Sequence, residues 1–413
     1  MRLQKLKIIL VPVKTPTMNV ERIEKLENIL FLDENKTIID HQVKRLTAPG
    51  ENFGSLMLSV DITVQNAYGT EEIHTVAKMV PPNGFIQEVF NTQTTFKNEI
   101  GFYNNIVPVL HEFQREQGMD ELVDFFPKYY GGRINLNGDP SVVDSDAVLL
   151  LENLKIAGYE NFERTLGFDL ETSKLIVTDL AHLHAVPLGL KLKKPDVFET
   201  EVKKYLAPFR PQGHSTFYQR FFSVIDKIDE LKHLKKRIHK AFDNVSLDSA
   251  VREPFATFVH QDCWVNNIMI KVEKGRSVKN KLVDFQVCDY GSPAKDLIFF
   301  LFANVQNHVL ETHYDDLVRY YHETFTSILQ KLKYETTRFA FDALLEEINY
   351  EAGHSQFLHL MFMTFPMFAP KGTVRELTEL TLDDFISEST DITDLHKEKL
   401  IFIIQQFDKH NWI

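Results

Sequence analysis

The chain has 413 residues, a formal net charge of −12 and a hydrophobic content of 44%. This length predicts two lobes or domains with a large core, and the negative charge argues against a nucleic-acid-binding protein. Two cysteines are too few for a disulfide framework, and the apolar runs are too short for a signal sequence or a membrane span, so we expect a cytoplasmic protein that does not bind membranes.

The N-terminal part, residues 1–44, is predicted to precede the two lobes as an extension and an amphipathic helix that spans 21–31. The first lobe is expected over 45–152 and the second over 153–413. The second lobe would contain a helical substrate-binding insert at about 185–255 and the C-terminal helices.

A glycine-containing turn precedes the first predicted strand. Gly50 and Gly54 flank this turn, and strict alternation over Leu56–Val64 then predicts the strand. Glycine lets a backbone approach a nucleotide closely, so N–H groups near Ser55 could face phosphate. Taken alone the turn is weak as a phosphate loop because it has only two glycines, and without the motif further along the chain a plain β-turn is the favoured interpretation.

Lys78 lies inside an otherwise apolar strand, where an unpaired ammonium would be costly. Glu99 follows in Phe96–Val107, a stretch with helical periodicity. In kinases a strand lysine paired with a helix glutamate holds the α- and β-phosphates of ATP. We therefore predict an ion pair between Lys78 and Glu99; the alternative is an exposed lysine at a strand edge and an unrelated surface glutamate.

Two further strands are predicted over Lys128–Asn135 and Asp146–Leu151. The second ends in an irregular segment at Glu152–Leu154, which suits a hinge between the lobes. Backbone groups of Glu152 and Leu154 could there bond to the edge of adenine, although a simple strand end is the plainer interpretation.

The composition beyond the hinge becomes helical. The clearest helix has a single apolar face, and within it we interpret His184 as a packed core histidine. Helices are predicted over Thr172–Val186, Val197–Leu206, Phe217–Phe242 and Lys397–Phe407.

The most informative stretch contains His260, Asp262 and Asn267 in the pattern H-x-D-x-x-x-x-N, followed by Asp284 in Asp-Phe-Gln. Alternating apolar residues on both sides of a polar turn, 273–280, predict a hairpin that brings Asn267 and Asp284 together. Phosphoryl transfer needs this set: Asp262 to meet the acceptor hydroxyl, and the oxygens of Asn267 and Asp284 to hold Mg²⁺. His260 would hold the loop in shape.

A helix start follows at Ser292 and Pro293. Asp296 would lie in its first turns and could accept backbone N–H bonds from the catalytic loop. Ordinary electrostatics at a helix start is the alternative.

The chain resembles a known family in these stretches: Gly50–Ser55, Val76–Lys78, Phe96–Tyr103, Leu149–Leu154, Leu180–His184, His260–Asn267, Val283–Gln286 and Asp296–Leu297. The family is the ecdysteroid kinase-like (CHK kinase-like) family, related to choline kinases and aminoglycoside phosphotransferases. The resemblance implies an α+β, bilobal, protein-kinase-like fold, with an antiparallel sheet and a helix in the first lobe and short catalytic hairpins in a mostly helical second lobe. It also implies ATP- and Mg²⁺-dependent phosphorylation of a small-molecule hydroxyl, on an ecdysteroid or a related sterol or xenobiotic.

One residue departs from the family pattern. Gln261 stands where the family usually has glycine between the histidine and the aspartate. If that position needs a positive φ, Gln261 carries strain. Gln261 therefore leaves open a catalytically silent small-molecule-binding protein. A choline- or ethanolamine-type kinase is a second alternative, because the residues that line the acceptor pocket come from several distant helices. The sequence does not indicate any protein partner.

Overall fold

The computed structural model describes residues 23–30, 32, 35–46, 54–207, 214–244, 250–369 and 392–413. A first lobe combines one antiparallel sheet with a few helices, and a second is mostly helical with two short sheets. The α+β, bilobal architecture predicted from the sequence is confirmed.

The strands of the first lobe are β1 (Thr37–Arg45), β2 (Leu56–Asn66), β3 (Gly69–Met79), β4 (Tyr129–Arg133) and β5 (Val148–Glu152). They form one antiparallel sheet in the order β1-β2-β3-β5-β4. Successive side chains of a strand point to opposite faces. Accordingly, Val148 and Leu150 pack with the N-terminal segment, whereas Leu149 and Leu151 join the main core.

The helices of the first lobe are α1 (Gly84–Val89), α2 (Thr92–Gly101) and α3 (Val107–Glu116). A π-helical turn, Phe102–Ile106, connects α2 to α3. The sequence predicted the stretch that contains α2 to be helical, and this is confirmed.

The helix predicted over 21–31 is wrong for the part that the structure describes. Residues 23–30 contain one 3-10 turn, Leu26–Asn28, because Lys25 has a φ of 50° and cannot continue a helix. The apolar residues of this segment are still buried, against the sheet. Strand β1 was not predicted, because most of its side chains at the edge of the sheet are exposed and alternate poorly.

The helices that the structure describes in the second lobe are α4 (Leu170–Lys193), α5 (Pro195–Val197), α6 (His214–Ile225), α7 (Lys235–Asn244), α8 (Ala294–Asn304), α9 (Asn307–Lys331), α10 (Phe341–Glu351), α11 (Phe357–Phe368) and α12 (Asp394–Lys409). Helix α4 packs along α9 and against the strands of the catalytic region. It is long and apolar enough to cross a membrane, but 67% of its most apolar window is buried in the protein, as in a core helix.

The predicted insert helices are less regular than expected. The stretch predicted as one helix over Val197–Leu206 is a π-helical turn, Phe198–Val202, followed by a 3-10 turn, Lys203–Tyr205. The predicted helix over Phe217–Phe242 is divided into α6 and α7 by the 3-10 segment Asp229–Leu234.

Five short strands lie in the second lobe: β6 (Tyr159–Asn161), β7 (Thr257–Val259), β8 (Ile268–Glu273), β9 (Arg276–Leu282) and β10 (Asp289–Gly291). They form a β6-β8-β9 sheet and a separate β7-β10 pair, all antiparallel. The predicted hairpin is present as β8 and β9. Its turn consists of Lys274 and Gly275 alone, both with positive φ, so the turn is shorter than predicted.

Candidate active site

Lys78 lies near the end of β3 and is only 4% exposed. Its Nζ atom is 2.5 Å from Oε2 of Glu99, on α2, and 2.7 Å from Oδ1 of Asp284, which follows β9. The pairing of Lys78 with Glu99 predicted from the sequence is present, and the ammonium has a second carboxylate partner from the other lobe. A buried ammonium needs carboxylate partners, because an unpaired charge in the interior of a protein is costly.

These charges act on one another's pKa. Burial lowers the pKa of Lys78, but the carboxylates of Asp284 and Glu99 outweigh burial and raise this pKa above its usual value. Burial raises the pKa of Glu99 to about 7, against the opposing effect of Lys78. Lys78 therefore stays an ammonium near neutral pH, whereas Glu99 is a much weaker acid than usual.

The position of Asp284 is set by the β8–β9 hairpin and by Val283, the residue that follows β9. Strand pairing places Ile268 opposite Leu282, and the backbone N–H of Val283 donates to the carbonyl of Asn267 at 3.0 Å. Asp284 itself has a φ of 69°, a left-handed conformation that aspartate tolerates better than most residues. The hairpin thus brings Asn267 and Asp284 side by side, as the sequence predicted.

Asp262 and Asn267 are joined within the catalytic loop. The Nδ2 atom of Asn267 donates to Oδ2 of Asp262 at 2.8 Å and to its carbonyl at 3.0 Å. Burial, and next the charge of Asp284, raise the pKa of Asp262 well above its usual value, whereas the bond from Asn267 opposes the rise. A carboxylate with a raised pKa accepts a proton more readily.

His260 is fully buried and shapes the loop. Its Nε2 atom lies 3.1 Å from the carbonyl of Val283, and its Nδ1 accepts the backbone N–H of Asp262 at 3.2 Å. Burial lowers the pKa of the imidazole, so the ring is neutral at neutral pH. Its contacts are with the protein backbone on both sides of the site.

Asp296, in the first turn of α8, anchors the loop as the sequence predicted. Its Oδ2 accepts the backbone N–H of His260 at 2.6 Å, and its Oδ1 accepts that of Gln261 at 2.8 Å. Gln261 has a φ of 68°. A residue with a side chain loses about 1–2 kcal/mol in this conformation, so Gln261 carries the strain anticipated for this position.

The oxygens of Asn267 and Asp284 fit a magnesium ion that arrives with a nucleotide. Oδ1 of Asn267 and Oδ2 of Asp284 accept no hydrogen bond from any residue that the structure describes. Over the same part of the chain, no group of three or more His, Cys, Asp or Glu side chains has metal-binding geometry. Mg²⁺ commonly takes one or two protein oxygens and completes its shell with phosphate and water, so two donors suffice.

The predicted phosphate turn is described only in part. Gly50 lies outside the described residues. Gly54 and Ser55 are buried at the start of β2, and a Cβ on Gly54 would lie 3.3 Å from the ring of Phe90. The small residue therefore lets the turn pack closely on the segment between α1 and α2.

Of the two predicted adenine-binding residues, Leu154 has the free backbone donor. The N–H of Glu152 donates to the carbonyl of Lys128 at 2.8 Å and is therefore occupied. The N–H of Leu154 makes no backbone bond within the described chain. Leu154 also packs with Tyr159 and Met269 in a small apolar cluster beside the hinge, and the sequence analysis missed this cluster.

The contacts behind Asp296 were also missed. The sequence marked His184 as a packed core histidine, which is confirmed because it is fully buried. Its partners, Asp296 and Tyr321, come from two other helices. No spacing in the sequence connects these three residues.

Comparison with known proteins identifies relatives of the chain. Residues 49–334 match the sequence model of the ecdysteroid kinase-like family. No curated protein sequence matches.

Several solved structures resemble the chain at low sequence identity. A spectinomycin phosphotransferase in complex with ADP and spectinomycin has 11% identity and a TM-score of 0.45, over 95% of this chain and 98% of that one. The GDP complex of aminoglycoside 2'-phosphotransferase-IIIa has 11% identity and a TM-score of 0.39, over 91% and 94%. A choline/ethanolamine kinase family protein from Mesorhizobium loti has 11% identity and a TM-score of 0.29, over 77% and 90%.

Proposed function

Because the chain belongs to the ecdysteroid kinase-like family, we propose that it is an ATP- and Mg²⁺-dependent phosphotransferase that acts on the hydroxyl group of a small molecule. The observation that carries the proposal is the position of the Lys78 ammonium, whose Nζ lies 2.5 Å from a carboxylate oxygen of Glu99 and 2.7 Å from one of Asp284, on the other lobe. Asp262 and Asn267 lie on the adjoining loop and supply the remaining groups that the reaction needs.

In this proposal the first lobe binds the nucleotide. Lys78, oriented by Glu99, would pair with the α- and β-phosphates, and the turn at Gly54 and Ser55 would cover them. The N–H of Leu154 would bond to the adenine edge, with the apolar cluster around Leu154 beneath the ring. The Mg²⁺ held by Asn267 and Asp284 would neutralise phosphate oxygens.

Asp262 would act on the acceptor. As the hydroxyl oxygen bonds to the γ-phosphorus, the bond to the bridging oxygen breaks and ADP leaves with the electron pair. Asp262 would orient the hydroxyl and take its proton, which its raised pKa favours. His260 would hold the loop through its two backbone contacts, without touching either substrate.

The acceptor proposed is an ecdysteroid or a related sterol or xenobiotic, and its support is family membership. The helical insert at about 185–255 is proposed to shape this side of the cleft. Phe198, at the start of the insert's π-helical turn, packs on Tyr290 of β10, with ring centroids 5.7 Å apart. The insert therefore reaches the strand that follows Asp284.

The test is transfer of the γ-phosphoryl group of ATP, with and without Mg²⁺, to ecdysone, a plant phenolic, choline and ethanolamine, followed by mass spectrometry. We expect a phosphorylated sterol or phenolic with the wild-type protein and none with Asp262→Ala. Asp315→Ala is the matched control, since Asp315 is an exposed aspartate on α9. Phosphorylation of choline or ethanolamine alone would overturn the acceptor class.

A second measurement separates an enzyme from a silent binding protein. Mg-ATP should raise the thermal stability of the wild-type protein, and slow hydrolysis of ATP should accompany binding. Stabilisation by acceptors without any turnover of ATP would contradict the proposed activity.

A further inference from the structure

The carboxylate of Asp296, which anchors the catalytic loop, is itself bonded to a side chain of another helix. Nε2 of His184, on α4, lies 3.1 Å from Oδ2 of Asp296, and Nδ1 of the same ring lies 2.7 Å from the hydroxyl of Tyr321, on α9. All three side chains are fully buried. Hydrogen bonds thus connect α9, α4 and α8 in series and end at the loop.

The direction of each bond follows from the chemistry of the groups. Asp296 accepts two backbone N–H bonds, and its interactions with His184 and His260 outweigh burial and lower the pKa of its carboxyl, so it acts only as an acceptor. Nε2 of His184 must therefore donate to Asp296. When the ring is neutral, Nδ1 accepts and the hydroxyl of Tyr321 donates.

At the loop end of this series of hydrogen bonds, the backbone of Gln261 is strained. Gln261 keeps a φ of 68°, which a residue with a side chain adopts only when its surroundings impose it. Its N–H donates to Oδ1 of Asp296, and the N–H of Asp262, on the other side of the residue, donates to Nδ1 of His260; both bonds restrain that backbone. Asp262 is the next residue, so the backbone of Gln261 decides where the carboxylate of Asp262 points.

We propose that Tyr321 and His184 are positioning residues for phosphoryl transfer: they fix the carboxylate of Asp296, which keeps Gln261 left-handed and aims Asp262 at the acceptor. This inference rests on the role proposed for Asp262. If the tyrosine hydroxyl is removed, the histidine ring loses its donor, Asp296 is less firmly held, and the strained residue can relax. Glycine at position 261 has no such strain to release.

The chain offers a matched control on the same pair of helices. The hydroxyl of Tyr320, the preceding residue, bonds to Oγ1 of Thr178 on α4 at 2.9 Å and is not connected to Asp296. Tyr320→Phe and Tyr321→Phe therefore each remove one hydroxyl bond between α9 and α4. Only the removal of the Tyr321 hydroxyl is expected to affect the catalytic loop.

The experiment combines Tyr321→Phe, Tyr320→Phe, Gln261→Gly and the double variant Tyr321→Phe/Gln261→Gly. We expect Tyr321→Phe to lower kcat about fivefold, the factor for one hydrogen bond of ordinary strength, with an unchanged KM for ATP. Tyr320→Phe should keep the wild-type kcat. In the Gln261→Gly background, Tyr321→Phe should lower kcat less than twofold. Equal losses in both backgrounds, or from both tyrosine changes, would overturn the proposal.

A second readout does not depend on catalysis. The amides of His260 and Gln261 donate to Asp296, so their hydrogen exchange reports how firmly the loop is held. Exchange should be about fivefold faster in Tyr321→Phe, unchanged in Tyr320→Phe and restored in the double variant. If the wild-type protein transfers no phosphate but these differences appear, the proposed function fails while the positioning stands; unchanged exchange in Tyr321→Phe refutes the positioning itself.

Discussion

The rings of Phe102 and Phe285 lie parallel, with centroids 3.7 Å apart and an angle of 6° between their planes. Phe102 directly follows α2, which carries Glu99, and Phe285 directly follows Asp284. The stack therefore joins the two backbone segments whose carboxylates meet at Lys78. It connects the lobes through an apolar contact beside a charged one.

This stack leads to a prediction about nucleotide binding. Phe102→Ala should lower the free energy of unfolding by about 3–5 kcal/mol, as for other buried phenylalanines, and should also weaken Mg-ATP binding because Glu99 is less well placed. Phe407→Ala is the matched control, since Phe407 is fully buried on α12. Denaturant unfolding and calorimetric titration measure the two effects. Equal weakening of ATP binding by both variants would refute a specific role for the stack.

Replacement of Asp284 tests the proposed magnesium site. Asp284→Asn keeps the shape of the side chain but removes the charge that faces Lys78 and would face Mg²⁺. We expect Mg²⁺-dependent ATP turnover to fall at least about a hundredfold, the lower range for removal of one group that stabilises a transition state, because the metal that Asp284 would hold is bound less well. Asp315→Asn should retain full turnover. Wild-type turnover in Asp284→Asn would contradict the assignment.

The contact between Gly101 and Tyr205 predicts a compensating pair of substitutions. A Cβ on Gly101 would overlap the ring of Tyr205, which lies in the 3-10 turn Lys203–Tyr205 and packs on the end of α2. Gly101→Ala should therefore destabilise the protein by about 1–3 kcal/mol, as overpacking does. Tyr205→Ala in the same chain should recover part of this loss, measured by denaturant unfolding. Additive losses in the double variant would argue against the clash.

The half-buried His359 predicts how stability depends on pH. Burial lowers the pKa of His359 to about 4, whereas an unfolded histidine titrates near 6.5. The unfolded state therefore binds more protons between pH 6.5 and 4, and the free energy of unfolding falls as pH decreases through that window. For this residue the loss is about 2 kcal/mol at pH 5.

The variant His359→Phe isolates this contribution, because the ring of His359 stacks on Phe299 with centroids 4.3 Å apart and phenylalanine preserves the stack. Denaturant unfolding from pH 7 to pH 4.5 should show a shallower decline in the variant. His308→Phe is a control, since His308 is exposed on α9. An unchanged slope in His359→Phe would mean that the ring is protonated as easily in the folded protein as in water.

The sequence predicted those parts of the site whose signal is local. Lys78 lies in an apolar strand, so an acidic partner was expected. The spacing of Asp262, Asn267 and Asp284, with a hairpin between the last two, predicted that the side-chain oxygens of Asn267 and Asp284 lie close together. Strand β1 was not predicted, because the side chains of an exposed edge strand need not alternate between apolar and polar residues. The amphipathic helix predicted near the N-terminus failed because burial against a sheet produced helix-like spacing without a helix.

The links of His184 to Asp296 and Tyr321 could not be predicted for a different reason. Each is a contact between side chains on helices far apart in the chain, and helix periodicity gives the buried face but not the residue that it meets. The prediction that Gln261 is strained if its φ is positive shows the same limit of sequence analysis. The sequence named the residue that would be strained, and only the three-dimensional fold determined its φ of 68°.

The short bridge between Lys78 and Asp284 joins the two lobes, and under the proposed function each group lies where the nucleotide and its metal would bind. Under the proposed function, a magnesium-bound triphosphate would bring an anion for the ammonium and a cation for the carboxylate in the same step. Its entry would exchange one counterion for another at both groups. A triphosphate without metal would leave Asp284 without a cation, whereas a metal without triphosphate would leave Lys78 paired with Glu99 alone among its described partners.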